Sequence, residues 1–251
     1  MASRRASAAW FRLPSILLNL AGRSSSGGDD LPEALDENRR RFLAAMAATI
    51  DAPNAGVAPT VAAIHQVHGA EVAVVDSAWD ARTLGGAPAA DAAITRERGR
   101  ALLVRVADCV PLLLACPRTG AVAAIHAGWR GIVAGVIGAT IHAMRRHFDV
   151  DPAHCVAAIG PCIGVDAFEV GEEVATSLAE IGLASTIRRG AAWPRPHVDL
   201  FAAARHQLVA AGVSRARIDG EPLCTSANRD LFFSHRRDNG RTGRMAAAII
   251  A

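Results

Sequence analysis

The chain has 251 residues, 51% of them apolar, enough for one large α/β domain or two small ones with a substantial core. Its net charge of +3 is small and dispersed, and no long apolar run is free of charges and breakers, which argues against nucleic acid and against a membrane. All 27 basic residues are arginine, and the absence of lysine and tyrosine excludes Schiff-base chemistry, a P-loop lysine and a tyrosine acid.

Residues 1–30 read as an irregular N-terminal segment. Arg12, Pro14 and Asn19 interrupt any signal-peptide core, so a first strand behind a frayed tail is expected there. After a Ser/Gly-rich loop at 23–30, the periodicity predicts a helix over 31–50 with Pro32 in its first turn. A Pro/Gly connector at 51–59 leads to a strand pair over 61–75, folded around Gly69. A loop at 85–90 releases a strand-rich block over 91–127. Residues 128–148 predict one long helix with Gly128, Gly131, Gly135 and Gly138 on one stripe. Each interior glycine costs about 1 kcal/mol relative to alanine. Packing against the sheet is the expected compensation for the later two. A strand is expected over 156–159, and helices over 171–182 and 198–212, the second with Asp199 near its start and Gly212 past its end. Residues 232–235 and 245–250, around an Asp238-Asn239-Gly240 turn, read as a closing hairpin. With no repeat and no linker, the whole is a single α/β domain: a mixed sheet with packed helices in a layered sandwich, its body running over 31–251.

The chemistry concentrates in the block at 101–127. Two apolar, β-branched arms flank a Pro-Arg-Thr-Gly turn at 117–120. If Pro117 and Gly120 close that turn, Val110 faces Ala127 and Cys109 faces Gly128. Cys109 and His126 then share a face one diagonal step apart, with backbones roughly 7–8 Å from each other. A thiolate and an imidazole so placed can share a metal or act as nucleophile and base. A catalytic zinc needs a third protein ligand, and His65 and His68 in HQVHG are the nearest upstream histidines. Three residues apart in an extended segment, only one of them can face the site. Gly69 would let the backbone after His68 turn close to a metal. Asp108, by default a turn residue, stands next to Cys109. Arg130, between Gly128 and Gly131 at the helix entrance, is the candidate for holding a phosphate or carboxylate. Arg236, in the RRDNGRTGR tail, is a second candidate. The five cysteines form no CxxC and leave an odd one over, pointing to a reducing, cytoplasmic setting.

Taken together, HQVHGAEV, ADCVPLLL, AAIHAGWRG, AAIGPCIG with FEVGEEV, and CTSANRDLFFSHRRDNGRTGRM resemble the successive motifs of the laccase-domain family. Its members have been called multicopper polyphenol oxidases, purine nucleoside phosphorylases and peptidoglycan editing factors. The resemblance implies that His68, Cys109 and His126 are metal ligands and catalytic residues holding zinc. The N-terminus departs from the family pattern: LNLAG stands at 18–22, but no Ser/Thr-Arg-x-Gly-Gly segment precedes it.

A multicopper site needs many imidazoles in close pairs, and the nine histidines here include no HxH. One His/Cys/His set suits zinc instead. The expected activity is that of a zinc-dependent purine nucleoside phosphorylase with adenosine deaminase activity, with purine nucleoside and phosphate as partners, Asp108, Arg130 and Arg236 on the substrate, and the oligomeric state left open. The alternatives are a hydrolase of a muramyl-amino-acid cell-wall precursor using Cys109 and His126, and a non-catalytic relative of divergent N-terminus.

Overall fold

The computed structural model describes residues 60–79, 86–191 and 193–251, together with the backbone of a strand at 15–18. The helix expected over 31–50 and the loops on either side of it lie outside the described residues. Twelve strands and four α-helices follow in chain order among those described. Strands β1 (Ser15–Leu18), β2 (Thr60–Ala63), β3 (Val72–Val74), β4 (Ala92–Thr95), β5 (Arg100–Val106), β6 (Val110–Cys116) and β7 (Ala121–Ala127) come first. Helices α1 (Trp129–Ala134) and α2 (Val136–Phe148) follow, then β8 (Val156–Ile159) and α3 (Glu172–Glu180). The rest comprises β9 (Ile187–Gly190), β10 (Trp193–Val198), α4 (Leu200–Ala210), β11 (Ile218–Asp219) and β12 (Met245–Ile250).

Two mixed sheets stack. The larger has strand order β11-β8-β6-β7-β4-β3, the smaller β1-β12-β5-β2. Period-2 alternation divides the larger sheet's side chains between two cores. Leu112, Leu114, Ala123 and Ile125 pack with Ile132, Ile137, Met144 and Leu208 from the helices. Leu113, Ala115, Val122 and Ala124 pack with Leu102, Val104, Ala247 and Ile249 from the smaller sheet. β6 and β7 are therefore buried on both faces, which explains their continuous apolar sequence. Each fully buried Leu or Ile side chain contributes roughly 1.5–3 kcal/mol. The layered α/β sandwich is as expected.

The hairpin register is also as expected: Val110 pairs with Ala127 and Pro111 with His126. Three other expectations need correction. Residues 61–75 do not form a strand pair, because β2 joins β5 in the smaller sheet and β3 joins β4 in the larger. Residues 232–235 are not a strand. Successive turns, with Phe232 N–H on Asn228 C=O and Asp238 N–H on Ser234 C=O, occupy that backbone, and β12 pairs with β1 and β5 instead. The hairpin β9–β10 lies in a stretch where no strand was expected.

The long helix over 128–148 is two helices. Gly135 adopts a left-handed backbone (φ 82°), ending α1 and opening α2, so its role is a cap rather than packing. Gly138 also departs from the packing expectation, since a Cβ there would meet nothing within 4 Å. Gly138→Ala should therefore raise stability by up to about 1 kcal/mol. A melting temperature unchanged or lowered in calorimetry would contradict this.

Candidate metal centre

The open end of the β6–β7 hairpin, away from its turn, builds the site. Cys109 precedes β6 and stands opposite Gly128, while His126 projects from β7 on the same face. The opposed position has to be bare. A Cβ on Gly128 would lie 2.9 Å from Cys109 Sγ and 3.2 Å from His68 Cδ2. Gly131 is bare for a related reason, since its Cβ would come within 3.1 Å of the Gly69 carbonyl oxygen. The first two glycines of the stripe thus let α1 approach the site.

His68 arrives from the loop between β2 and β3. The turn falls on His68 itself, whose φ of 62° is left-handed, and not on Gly69 as expected. The ligand atoms of His68, Cys109 and His126 all lie within 4.8 Å of one another. The two imidazoles meet edge to face, with centroids 4.8 Å apart and planes at 82°. His126 is buried, Cys109 half-buried and His68 exposed, so the group opens to solvent on the His68 side. His65 is exposed and bridges to Ala89, pairing with the backbone beyond β2.

Electrostatics tie the three together. Burial pushes the Cys109 thiol up, but hydrogen bonds from His126 and His68 outweigh it and bring it down to about 7. Burial pushes His126 down, yet hydrogen bonds to Asp91 and Cys109 raise it to about 9. Asp91 is a residue of this group that the sequence reading missed. Fully buried, it accepts from His126 Nδ1 at 2.7 Å and from the backbone N–H groups of Val67, His68 and Gly69. Its burial raises the carboxyl, and these donors more than offset that, leaving it below its ordinary value. A signal did exist. Continuing the β4–β7 register one step beyond Ala92 and Ile125 sets Asp91 opposite His126, whose N–H bonds the Asp91 carbonyl at 2.7 Å.

Asp108 is buried with a left-handed φ of 88°. Its carboxylate accepts from the Thr225 hydroxyl at 2.5 Å and from the Arg236 N–H at 2.7 Å. This latches the Cys109 turn to the C-terminal loop. The Arg236 guanidinium donates to the Glu169 carbonyl at 2.8 Å and lies over the Phe168 ring. Arg237, which the sequence did not single out, organises the loop: its guanidinium reaches the carbonyls of Thr225 and Phe232 and both carboxylate oxygens of Asp238. Arg130 is exposed, its guanidinium 4.3 Å from the centre of the Trp129 ring. Cys162 is buried beside this wall, its N–H on the Leu223 carbonyl.

The donor chemistry fits a metal ion: two nitrogens and one sulfur, close together, with an open side, suit zinc-like ions. Among the described residues no other group of His, Cys, Asp or Glu has such spacing.

Known proteins place the chain as a whole. Over residues 15–251 the chain matches the family described as multi-copper polyphenol oxidoreductase laccase. A purine nucleoside phosphorylase of Streptomyces coelicolor is 42% identical over 239 residues, covering 94% of this chain and 89% of the relative. The adenosine deaminase RL5, of unknown prokaryotic origin, is 38% identical over 229 residues, covering 88% and 83%. The crystal structure of YlmD from Geobacillus stearothermophilus superposes with a TM-score of 0.78 at 34% identity, covering 92% of this chain and 84% of that one. With the fold, the motifs and the length of these matches in agreement, the chain belongs to the multi-copper polyphenol oxidoreductase laccase family.

Proposed function

We propose that this chain is a zinc enzyme of purine nucleosides, cleaving the glycosidic bond with phosphate and deaminating adenosine. The observation that carries the reading is the His68, Cys109 and His126 group, open on one side, in a chain whose relatives bear those two activities by name. The family description speaks of several coppers, whereas one three-ligand group is present among the described residues. Zinc held by these three residues would supply Lewis acidity at an open coordination position.

The chain's own residues do the rest. Asp91 holds the Nδ1 side of His126, leaving Nε2 to face Cys109 and the group. Asp108 holds the turn bearing Cys109 and so serves the substrate through position. Arg130, exposed and next to Gly128, offers a planar fork to phosphate. Arg236 closes the same wall by fixing the backbone around Phe168. In phosphorolysis a phosphate oxygen bonds the ribosyl carbon as the bond to the purine nitrogen breaks, and the base leaves with that electron pair. In deamination water adds to the ring carbon and ammonia departs. Five unpaired cysteines accord with a reducing, cytoplasmic setting, and no described helix is long and apolar enough to cross a membrane.

Elemental analysis should find about one zinc per chain, lost in His68→Ala, Cys109→Ala and His126→Ala and kept when Cys116, Cys155 or Cys162 is replaced. Zinc-loaded protein should release free base from adenosine, inosine or methylthioadenosine only with phosphate present, and inosine from adenosine without it. Stoichiometric copper, or zinc undiminished in all three variants, sinks the metal assignment. Absence of these products, with serine or alanine released from a muramyl precursor, supports instead a hydrolase in which the Cys109 thiolate attacks and His126, holding the proton, passes it to the leaving amine. Arg130→Lys keeps the charge but loses the fork, so the KM for phosphate should rise with zinc content and deamination little changed. Equal loss of both reactions would remove Arg130 from phosphate binding.

A further inference from the structure

We propose that Asp91 is a positioning residue that seats His68 and His126 together, one carboxylate fixing two ligands from different elements. Its oxygens are fully assigned. Oδ1 accepts from His126 Nδ1 at 2.7 Å and from His68 N–H at 2.9 Å. Oδ2 accepts from Gly69 N–H at 2.6 Å and from Val67 N–H at 3.2 Å. With no exposed surface, Asp91 cannot touch substrate, so its influence passes through the residues it holds.

Three successive N–H groups converging on one carboxylate define the conformation of the 67–69 loop. That loop puts a non-glycine residue, His68, at a φ of 62°, a backbone costing roughly 1–2 kcal/mol when nothing supports it. Charge-assisted hydrogen bonds to a buried carboxylate supply that support. On the far side, Gly131 packs against the Gly69 carbonyl, so the loop is clamped between α1 and Asp91. The same carboxylate sets the tautomer of His126: with Nδ1–H donated to Oδ1, the Nε2 lone pair is left for a metal ion. Four donors and no acceptor surround the side chain. Asparagine, matching it in size, would turn an NH2 group toward N–H groups.

This inference rests on the metal reading for its affinity readout and stands apart from it for its tautomer readout. Asp91→Asn should weaken zinc, measured by chelator competition, by roughly 10–100-fold. It should also alter the visible spectrum of the cobalt-loaded protein, which reports ligand geometry. Zinc affinity within threefold of the parent and an unchanged cobalt spectrum, with only a lowered melting temperature, would overturn the proposal. Should Asp91→Asn fail to fold, nitrogen-15 spectra of the unaltered protein decide: Nδ1 of His126 must carry a proton whether the ring is neutral or charged, and a bare Nδ1 refutes the role. If the unaltered protein takes up no zinc, the metal reading fails, and the His126 tautomer still judges Asp91.

Discussion

Gly128→Ala is expected to weaken metal binding on the order of 10–100-fold while leaving His68, Cys109 and His126 in the chain, a loss of the size seen when ligand support is removed. The added methyl would sit 2.9 Å from Cys109 Sγ, closer than a stable contact allows, and a tight 3.2 Å from His68 Cδ2. Neither neighbour can retreat cheaply. Cys109 sits in a turn latched by Asp108, and His68 in a loop held by Asp91. Overpacking of this kind costs about 1–3 kcal/mol in stability. Gly135→Ala is the control. It strains a left-handed residue in the same helical region, where a Cβ would meet nothing within 4 Å, and should lower stability while sparing zinc. Zinc affinity equal in the two variants would show that the bare position opposite Cys109 is not a clearance for the site.

The second large effect is expected from Asp108→Ala. Two hydrogen bonds to a buried carboxylate, each worth ~1.5–3 kcal/mol, would be lost, roughly 3–6 kcal/mol in all. Against a typical domain stability of about 5–15 kcal/mol, the variant should remain folded but soften. Hydrogen exchange should rise at 225–237, where Thr225 and Arg236 lose their acceptor, and turnover should fall because the Cys109 turn is no longer held at its left-handed φ. Thr225→Val removes one of the two bonds and should give about half the loss. The competing role, a direct contact from Asp108 to substrate, predicts a raised KM with normal melting and normal exchange. That result would return Asp108 to the substrate.

How much of this was legible in the sequence depended on the range of the interaction. The β6–β7 register could be read from a four-residue turn and two alternating arms, and it brought Cys109 and His126 together before any coordinates. His68 was legible only by resemblance, because nothing near it records that its N–H bonds a carboxylate on β4's edge. Asp91 sits among alanines with no local motif, and its meaning appears once β4 and β7 pair. The α1–α2 break was hidden because the apolar period continues through Gly135, and one left-handed residue reverses no hydrophobic pattern. The C-terminal loop misled for the opposite reason. Phe232 and Phe233 read as strand, but Asn228, Ser234 and Arg237 satisfy the backbone locally in turns. Asp108 was visible as a residue beside Cys109, and its partners at Thr225 and Arg236 were beyond any local pattern.

The position of β12 has a consequence for the order in which the molecule can be put together. Ser15 on β1 finds its partner in Ile249, and β5 finds its second neighbour in the same strand. During synthesis, then, β1 waits unpaired until nearly all the rest has emerged, and pairings so distant in sequence are slow to form. His68, Cys109, His126 and Asp91, by contrast, are delivered early, on strands and loops that pair locally around β6 and β7. A nascent chain can gather His68, Cys109 and His126 while the smaller sheet is still open, and the late arrival of Thr225, Arg236 and β12 then shuts the turn behind Cys109.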